Sequence, residues 1–115
     1  MGFVNLINLE YTFTALNQIT APQFCQKVDS FTVCGVNIYG SGGNQVNFYL
    51  WTGIIRDTPP DPNTDLNRYS NFRFLDDSFE FRNNTPPSSF WFVLKSTSFV
   101  SDFKVFFSGG IGTWM

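Results

Sequence analysis

The residues able to do chemistry are few, because the 115-residue chain contains no histidine. Histidine is the commonest general base, and it completes most serine and cysteine nucleophile systems. The remaining catalytic option is a pair of carboxylates of the glycosidase type. The candidates are Asp76, Asp77, Glu80 and Asp102. Each stands where a turn or a solvated strand face favours an acid, so the sequence predicts a protein that is not an enzyme and uses no cofactor.

A second chemical possibility is a cation site in the proline-rich segment 57–67. Asp61, Asn63 and Asp65 have the D-x-N-x-D spacing that opens a calcium loop. The match ends there, because a leucine replaces the required glycine and a phenylalanine replaces the bidentate glutamate. Asp57 could join the three through further oxygen ligands. Two interpretations remain: a weak calcium candidate at these four residues, and a solvated loop with Asx turns, which we favour.

The two cysteines, Cys25 and Cys34, also leave two interpretations open. A disulfide between them would close a hairpin and imply an oxidising compartment. Alternatively, both are reduced thiols that act as small core residues. We favour reduced thiols, because an all-β core of this size does not require a covalent staple.

Composition narrows the classes of partner. The formal net charge is −2 and the seven cations are scattered singly, so we expect no nucleic-acid binding. No continuous apolar run is long enough to span a membrane, and the first residues do not have the pattern of a signal peptide. Charged residues make up only 14% of the chain and fifteen residues are Phe. This balance favours a surface partly covered by neighbours, in a homo-oligomer or a larger assembly.

Aromatic side chains recur with a period of two, which is typical of β-strands. If Phe48, Phe92 and Phe103 point into the core, a second set points the other way. That set is Tyr49, Trp51, Trp91, Val93 and Phe106. These side chains could form a subunit interface or a platform for stacking sugars, with the Asn44 and Asn47 amides as hydrogen-bonding groups. A third interpretation is that a second sheet covers them.

The elements that must position these residues are short strands with turn signals between them. We predict strands over residues 3–16, 27–39, 45–56, 70–75, 78–82, 88–95, 99–107 and 111–114. Residues 40–44, Asp76–Asp77 and Ser96–Ser98 are interpreted as turns between paired strands. Pro22 excludes a central strand from residues 17–26, and bulges are expected near Asn8 and Gly35.

The predicted fold is all-β: a single-domain antiparallel β-sandwich over residues 1–115, jelly-roll-like, with about eight strands. The predicted function is a non-enzymatic structural protein that acts through subunit contacts. A virion component such as a small capsid, cement or spike subunit fits this description, in a virion or outside the cell. The alternative is a carbohydrate-binding module or lectin that binds glycan through its aromatic side chains.

Overall fold

The computed structural model describes residues 2–36, 43–53, 58–76 and 80–113. These residues form eight strands, and every pairing between them is antiparallel. The strands are β1 (Gly2–Phe13), β2 (Gln23–Gln26), β3 (Ser30–Val36), β4 (Gln45–Trp51), β5 (Ser70–Asp76), β6 (Glu80–Asn83), β7 (Ser89–Ser98) and β8 (Phe103–Thr113). A single-turn helix, α1 (Pro62–Asp65), leads into a 3-10 turn, Leu66–Arg68. The predicted antiparallel β-sandwich is confirmed.

The strands form two four-stranded sheets. Sheet A has the order β1-β8-β3-β6 and sheet B the order β2-β7-β4-β5. The pairing is nested: β1 pairs with β8, β2 with β7, β3 with β6 and β4 with β5. Only β4 and β5 are consecutive strands of the same sheet, so every other connection crosses from one sheet to the other.

The core lies between the inner faces of the two sheets, where every second side chain points inward. Phe92 of sheet B stacks on Phe107 of sheet A with their ring centroids 4.2 Å apart, and Phe48 lies 5.4 Å from Phe92. Phe48, Phe92 and Phe103 are all buried, as predicted. Burying one such ring contributes about 1.5–3 kcal/mol, so these cross-sheet stacks hold the layers together.

The predicted hairpins are wrong. The segment 88–107 was expected to be two paired strands with a turn at Ser96–Ser98. Instead β7 continues to Ser98, and β7 and β8 lie in different sheets. The same holds for β3 with β4 and for β5 with β6, whose expected turns fall partly outside the described residues. Alternation reports which side of a strand is buried, and it carries no information about which strand is its partner.

Two strand assignments also change. Residues 17–26 were interpreted as a connection, but they contain β2, which follows directly after Pro22 at an edge of sheet B. The prediction that this segment holds no central strand is confirmed. β8 passes through Gly109 and Gly110 to Thr113, so the separate strand predicted at 111–114 does not exist. The predicted number of strands is therefore confirmed, although the predicted set lacks β2 and includes a separate strand at 111–114.

Local irregularities follow the expected pattern in part. The register between β1 and β8 shifts between Asn5 and Ile7, close to the bulge expected at Asn8. Gly35 pairs regularly with Val105, so the bulge predicted there is wrong.

Among the described residues, no helix is long and apolar enough to cross a membrane.

Candidate interaction surface

The outer face of sheet B carries most of the aromatic side chains that the sequence placed outside the core. Trp51 lies directly opposite Trp91, which lies opposite Phe24 on the edge strand. Two pairs along, Tyr49 lies opposite Val93. We call this surface the aromatic face. Its members are Phe24, Gln26, Gln45, Asn47, Tyr49, Trp51, Asn71, Phe74, Ser89, Trp91, Val93 and Lys95.

Both tryptophans are positioned by neighbours of their own chain. The Trp91 and Phe24 rings pack with centroids 5.1 Å apart at a tilt of 47°. Trp51 packs against the backbone at Gly53, where a Cβ atom would overlap the indole. Each indole therefore has one side held by the protein. Both side chains are only half-buried, so part of each remains accessible.

The two asparagines considered as sugar-binding amides have different roles. Asn47 lies on the aromatic face, and its Nδ2 donates a hydrogen bond to the Tyr49 hydroxyl at 3.1 Å. Asn44 is fully buried instead. Its Oδ1 accepts hydrogen bonds from the backbone N–H groups of Val100 and Ser101 at 2.7 and 3.3 Å. Asn44 therefore anchors the β7–β8 connection, and the expectation that it serves a surface platform is wrong.

Of the five residues predicted to point outward, four come together and one does not. Tyr49, Trp51 and Trp91 are half-buried on the aromatic face. Val93 lies in the same rows but is fully buried, although it is outside the core cluster. Its role is therefore to fill the face rather than to contact a ligand. Phe106 lies on the outer face of sheet A, on the opposite side of the sandwich.

The outer face of sheet A, which we call the polar face, surrounds Phe106 with polar side chains. Along one row, Phe106 lies between Glu10 and Cys34. Lys104 Nζ lies 3.4 Å from Glu10 Oε2. The members of the polar face are Asn8, Glu10, Thr12, Thr32, Cys34, Glu80, Arg82, Lys104, Phe106 and Ser108. This is the composition expected of an antiparallel sheet with one face in water.

Sequence reasoning missed two of the aromatic side chains on the aromatic face. Phe24 was assigned to a connection, because four residues of strand after a proline give too short an alternation to detect. Phe74 was assigned to a strand, but its side was not determined. Its register partner Asn47 now places it on the aromatic face, where it is 52% exposed.

The candidate calcium residues form a helix cap in the structure. Asp61 precedes α1, and its Oδ1 accepts a hydrogen bond from the Asn63 backbone N–H at 2.9 Å. This is the Asx turn that we favoured. Burial, together with the Asp61 carboxylate, raises the pKa of Tyr69, whose hydroxyl donates to the Pro60 carbonyl at 2.7 Å. Asp57 lies outside the described residues, and those described contain no group of three potential metal-binding side chains.

The acids considered for catalysis are distributed over several elements. Glu80 lies on the polar face opposite Cys34, and Asp102 lies in the exposed connection before β8. Asp76 ends β5, and Asp77 lies outside the described residues. The absence of an enzymatic activity remains a prediction.

The cysteines are both free thiols in different layers of the molecule. Cys25 is buried on the inner face of sheet B, and Cys34 is half-buried on the polar face of sheet A. Burial raises the pKa of Cys25 from its ordinary value of 9.0 to about 11, so this thiol stays protonated at neutral pH.

Cys25 also lines a pocket of about 240 Å³ between the edge strands β1 and β2. The lining residues are Leu6, Ile7, Phe24, Cys25, Gln26 and Val28. Four apolar side chains line the pocket together with the Cys25 thiol and the polar Gln26, so its walls are both apolar and polar.

No family model, curated protein or solved structure matches this chain. Its class is therefore defined by the structure alone. It is an all-β sandwich of antiparallel strands in which one outer face is polar and the other is aromatic.

Proposed function

We propose that this protein is a non-enzymatic structural subunit that acts through contacts with other copies of itself, as a capsid, cement or spike component of a virion. The observation that carries the proposal is the aromatic face. Sheet B already buries its inner side chains against sheet A, yet its outer side carries two tryptophans, a tyrosine and two phenylalanines. Aromatic enrichment with few charges is typical of subunit interfaces.

The connectivity supports the proposal. We infer that the sandwich is a jelly roll, because its eight strands pair in nested fashion, from β1 with β8 to β4 with β5. Jelly rolls are used by viral capsid proteins and by lectins, and both uses are non-enzymatic. The fold is compatible with assembly and with ligand binding, and the aromatic face supports assembly.

The exposure of Phe74 gives the aromatic face a matched control on the polar face. Phe74 is 52% exposed on one side of the sandwich and Phe106 is 37% exposed on the other. A phenylalanine exposed to water contributes little to folding. Covering it with a partner would increase the free energy gained from its burial. The same substitution can therefore be made on both faces without removing a core side chain.

Sedimentation velocity of the wild type, Phe74→Asp and Phe106→Asp tests the proposal. We expect the wild type and Phe106→Asp to associate as concentration rises, and Phe74→Asp to remain a monomer. Circular dichroism and thermal melting check that both variants are folded. A wild type that stays monomeric at every concentration would overturn the proposal, as would two variants that associate equally well.

Glycan binding is the second candidate, and one observation favours it. Trp51 and Trp91 lie directly opposite each other on adjacent strands, both half-buried, so two partly accessible indoles are neighbours on the same face. Stacking of a sugar ring on such indoles is the usual mode of carbohydrate recognition by aromatic side chains. A glycan array with Trp51→Ala and Trp91→Ala distinguishes the candidates. Binding that both substitutions abolish, by a protein that stays monomeric, would replace assembly with glycan recognition.

A further inference from the structure

Each sheet of the sandwich ends in two edge strands. Sheet A ends at β1 and β6, and sheet B ends at β2 and β5. β1 and β2 lie on one side of the sandwich, where both line the Cys25 pocket, and β5 and β6 lie on the other, where the Phe72 and Phe81 rings are 5.5 Å apart. An open edge pairs readily with a strand from another molecule, so natural proteins usually protect their edges. The four edges of this protein differ in that protection.

Three of the edges carry protective features. β2 is only four residues long and follows directly after Pro22. β6 is also four residues long, and it includes the charged Glu80 and Arg82. β5 is longer, but a bulge at Phe72 interrupts its pairing with β4. Short length, proline, charge and bulges are the usual devices that prevent pairing between edges.

β1 has much less of this protection. It is 12 residues long, contains no proline and has Glu10 as its single charged residue. Its register with β8 shifts once, between Asn5 and Ile7, and is then regular over the seven residues Ile7–Phe13. The regular stretch of β5 beyond its bulge, Arg73–Asp76, has four residues. β1 is therefore the longest uninterrupted edge in the described part of the chain.

The apolar side chains of this stretch are arranged symmetrically. On the core side, Ile7, Leu9 and Tyr11 pack against the core but remain half-buried, whereas Phe13 is fully buried. The three incompletely covered side chains are thus evenly spaced, with Leu9 at their centre. A second copy of the strand, rotated by half a turn about Leu9, presents the same three in reverse order. Such self-complementarity is what a contact between two identical patches requires.

Sheet geometry restricts how two β1 strands can pair. The pairing must match core side with core side, because a slip of one residue exchanges the two faces. Centring the pair on Glu10 would set two carboxylates directly opposite each other, which is unfavourable. Centring it on Asn8 or Tyr11 would set Tyr11 or Ile7 opposite a residue outside the regular stretch. Centring it on Leu9 sets Ile7 opposite Tyr11 and Asn8 opposite Glu10.

The pairs in this register suit each other on both faces. On the core side, Ile7 of each copy covers Tyr11 of the other, and pairs of aromatic and β-branched side chains are favourable across strands. On the outer side, the exposed Asn8 amide donates to the Glu10 carboxylate of the other copy. That carboxylate already lies 3.4 Å from Lys104 Nζ of its own chain. Each carboxylate therefore gains an amide donor and keeps its cation.

The length of the pairing sets its strength. Five residue pairs, from Ile7 to Tyr11, supply about four to six backbone hydrogen bonds. A contact of this length buries well under the roughly 1,200 Å² of a stable interface, so it is weak on its own. We expect it at roughly millimolar protein. This is above the micromolar range in which sedimentation velocity compares Phe74→Asp with the wild type.

We propose that two copies of this chain pair edge to edge through β1, antiparallel and centred on Leu9, so that their A sheets join into one continuous sheet. The contact joins identical patches, and it therefore closes as a two-fold symmetric dimer. The proposal goes beyond the proposed function, since it uses an edge of sheet A rather than the aromatic face of sheet B. Where both contacts form, they link copies in two directions.

NMR spectroscopy at roughly millimolar protein tests the pairing directly. The Phe74→Asp chain is used, because it is expected to lack the aromatic-face contact. In a mixture of isotope-labelled and unlabelled chains, isotope-filtered spectra record contacts between copies alone. We expect such contacts between Ile7 and Tyr11 and between Asn8 and Glu10. Contacts in another register of β1, contacts only elsewhere, or none would overturn the proposal.

Substitutions at Asn8 test the register through charge, at an exposed position outside the core. Asn8→Glu sets a second carboxylate opposite Glu10 in both halves of the dimer, and the dissociation constant of the dimer should rise about tenfold. Asn8→Lys sets a cation there, and the dissociation constant should fall about threefold or more. Translational diffusion over a dilution series gives both constants.

The matched controls are Asn67→Glu and Asn67→Lys, which change the same amide to the same charges. Asn67 is exposed in the turn that leads into β5, on the other side of the sandwich. Both controls should pair like the background chain. Asn67 variants that act like the Asn8 variants, or an Asn8→Glu chain that pairs unchanged, would refute the register.

Failure of the edge contact and failure of the proposed function give different results. A wild type that associates through the aromatic face, while the Phe74→Asp chain shows no contact at β1, refutes only the edge pairing. If the proposed function fails instead, the wild type and Phe74→Asp associate equally well at every concentration.

Discussion

The two outer faces of this sandwich follow opposite rules, although both belong to four-stranded antiparallel sheets over the same core. On sheet A, Phe106 is surrounded by charged and hydroxyl side chains, and Lys104 pairs with Glu10. On sheet B, Trp51 and Trp91 face each other across adjacent strands. A sheet that only needs to fold can leave one side to water, as sheet A does. The aromatic side of sheet B differs from this pattern, and the proposed function attributes the difference to contacts with other molecules.

The comparison requires that the side chains of both outer faces are not part of the shared core. Matched Phe→Ala substitutions test this, and they include the largest expected loss of unfolding free energy. Phe48 is fully buried and packs with Phe31, Phe92 and Phe107. Phe48→Ala should cost about 3–5 kcal/mol of unfolding free energy, the usual loss for a buried ring. Phe74→Ala and Phe106→Ala, on the two outer faces, should each cost less than about 1 kcal/mol.

Denaturant unfolding of the three variants provides the measurement, at concentrations where the chain is monomeric. A Phe106→Ala loss as large as that of Phe48→Ala would show that the polar face is part of the core, and the comparison between the faces would fail.

Asn44 and Asn47 form a matched pair of amides, one buried and one on the aromatic face, for which smaller losses of unfolding free energy are expected. Asn44→Ala leaves the partly buried backbone N–H groups of Val100 and Ser101 without their acceptor, at a cost of about 1–3 kcal/mol. Asn47→Ala removes only a side-chain bond to Tyr49 on the aromatic face, worth about 0.5–1.5 kcal/mol. Thermal unfolding of both variants measures the difference. Equal losses would contradict the assignment of Asn44 to structure and Asn47 to the surface.

The reactivity of the two cysteines allows the core to be compared with the polar face. Cys34 is half-buried on the polar face, whereas Cys25 is buried and its pKa is raised to about 11. A thiol-specific reagent at pH 8 should modify Cys34 at least about tenfold faster than Cys25, because reaction requires an accessible thiolate. Mass spectrometry of digested samples over time gives both rates. Equal rates would contradict the burial of Cys25.

The raised pKa of Cys25 also has a consequence for stability. The thiol ionises near 9.0 in the unfolded chain and near 11 in the folded one. Its contribution is therefore fully present below pH 9 and is lost as the pH rises toward 11. The unfolding free energy of the wild type should fall relative to that of Cys25→Ala within this window. Parallel pH profiles for the two proteins would contradict this expectation.

The smallest effect concerns the ion pair of the polar face. Lys104 and Glu10 are partly exposed, with 36% and 50% of their side-chain surface accessible. A double-mutant cycle with Lys104→Ala and Glu10→Ala should give a coupling of about 0.2–1 kcal/mol that declines with added salt. A coupling above about 2 kcal/mol would mean that this face is shielded from water, as at a buried interface.

The sequence was sufficient to identify the faces of single strands, because side-chain alternation is a local property. In β4 it separated Val46, Phe48 and Leu50 from Asn47, Tyr49 and Trp51, and the structure has the first three buried. This alternation predicted a sandwich and placed Tyr49, Trp51 and Trp91 outside its core.

Strand pairing could not be predicted in the same way, because it depends on contacts distant in sequence. Strands β7 and β8 are consecutive, yet each pairs with strands of a different sheet. That is also why Phe106 and Trp91, both outward by alternation, lie on opposite sides of the molecule. Gly109 misled the strand prediction for a related reason. It sits within β8, where a Cβ would lie 3.2 Å from Ile7 Cγ2 of β1, so this tight contact favours glycine inside a strand.

Hydroxyl-radical footprinting with mass spectrometry tests the central claim most directly, because it reads both outer faces in one sample of unmodified protein. The oxidation rates of Tyr49, Trp51, Phe74, Trp91 and Phe106 are compared between dilute and concentrated protein. The account predicts that rates on the aromatic face fall on concentration, while the rate at Phe106 is unchanged. Rates that do not change with concentration, or protection of Phe106 without protection of the aromatic face, would contradict it.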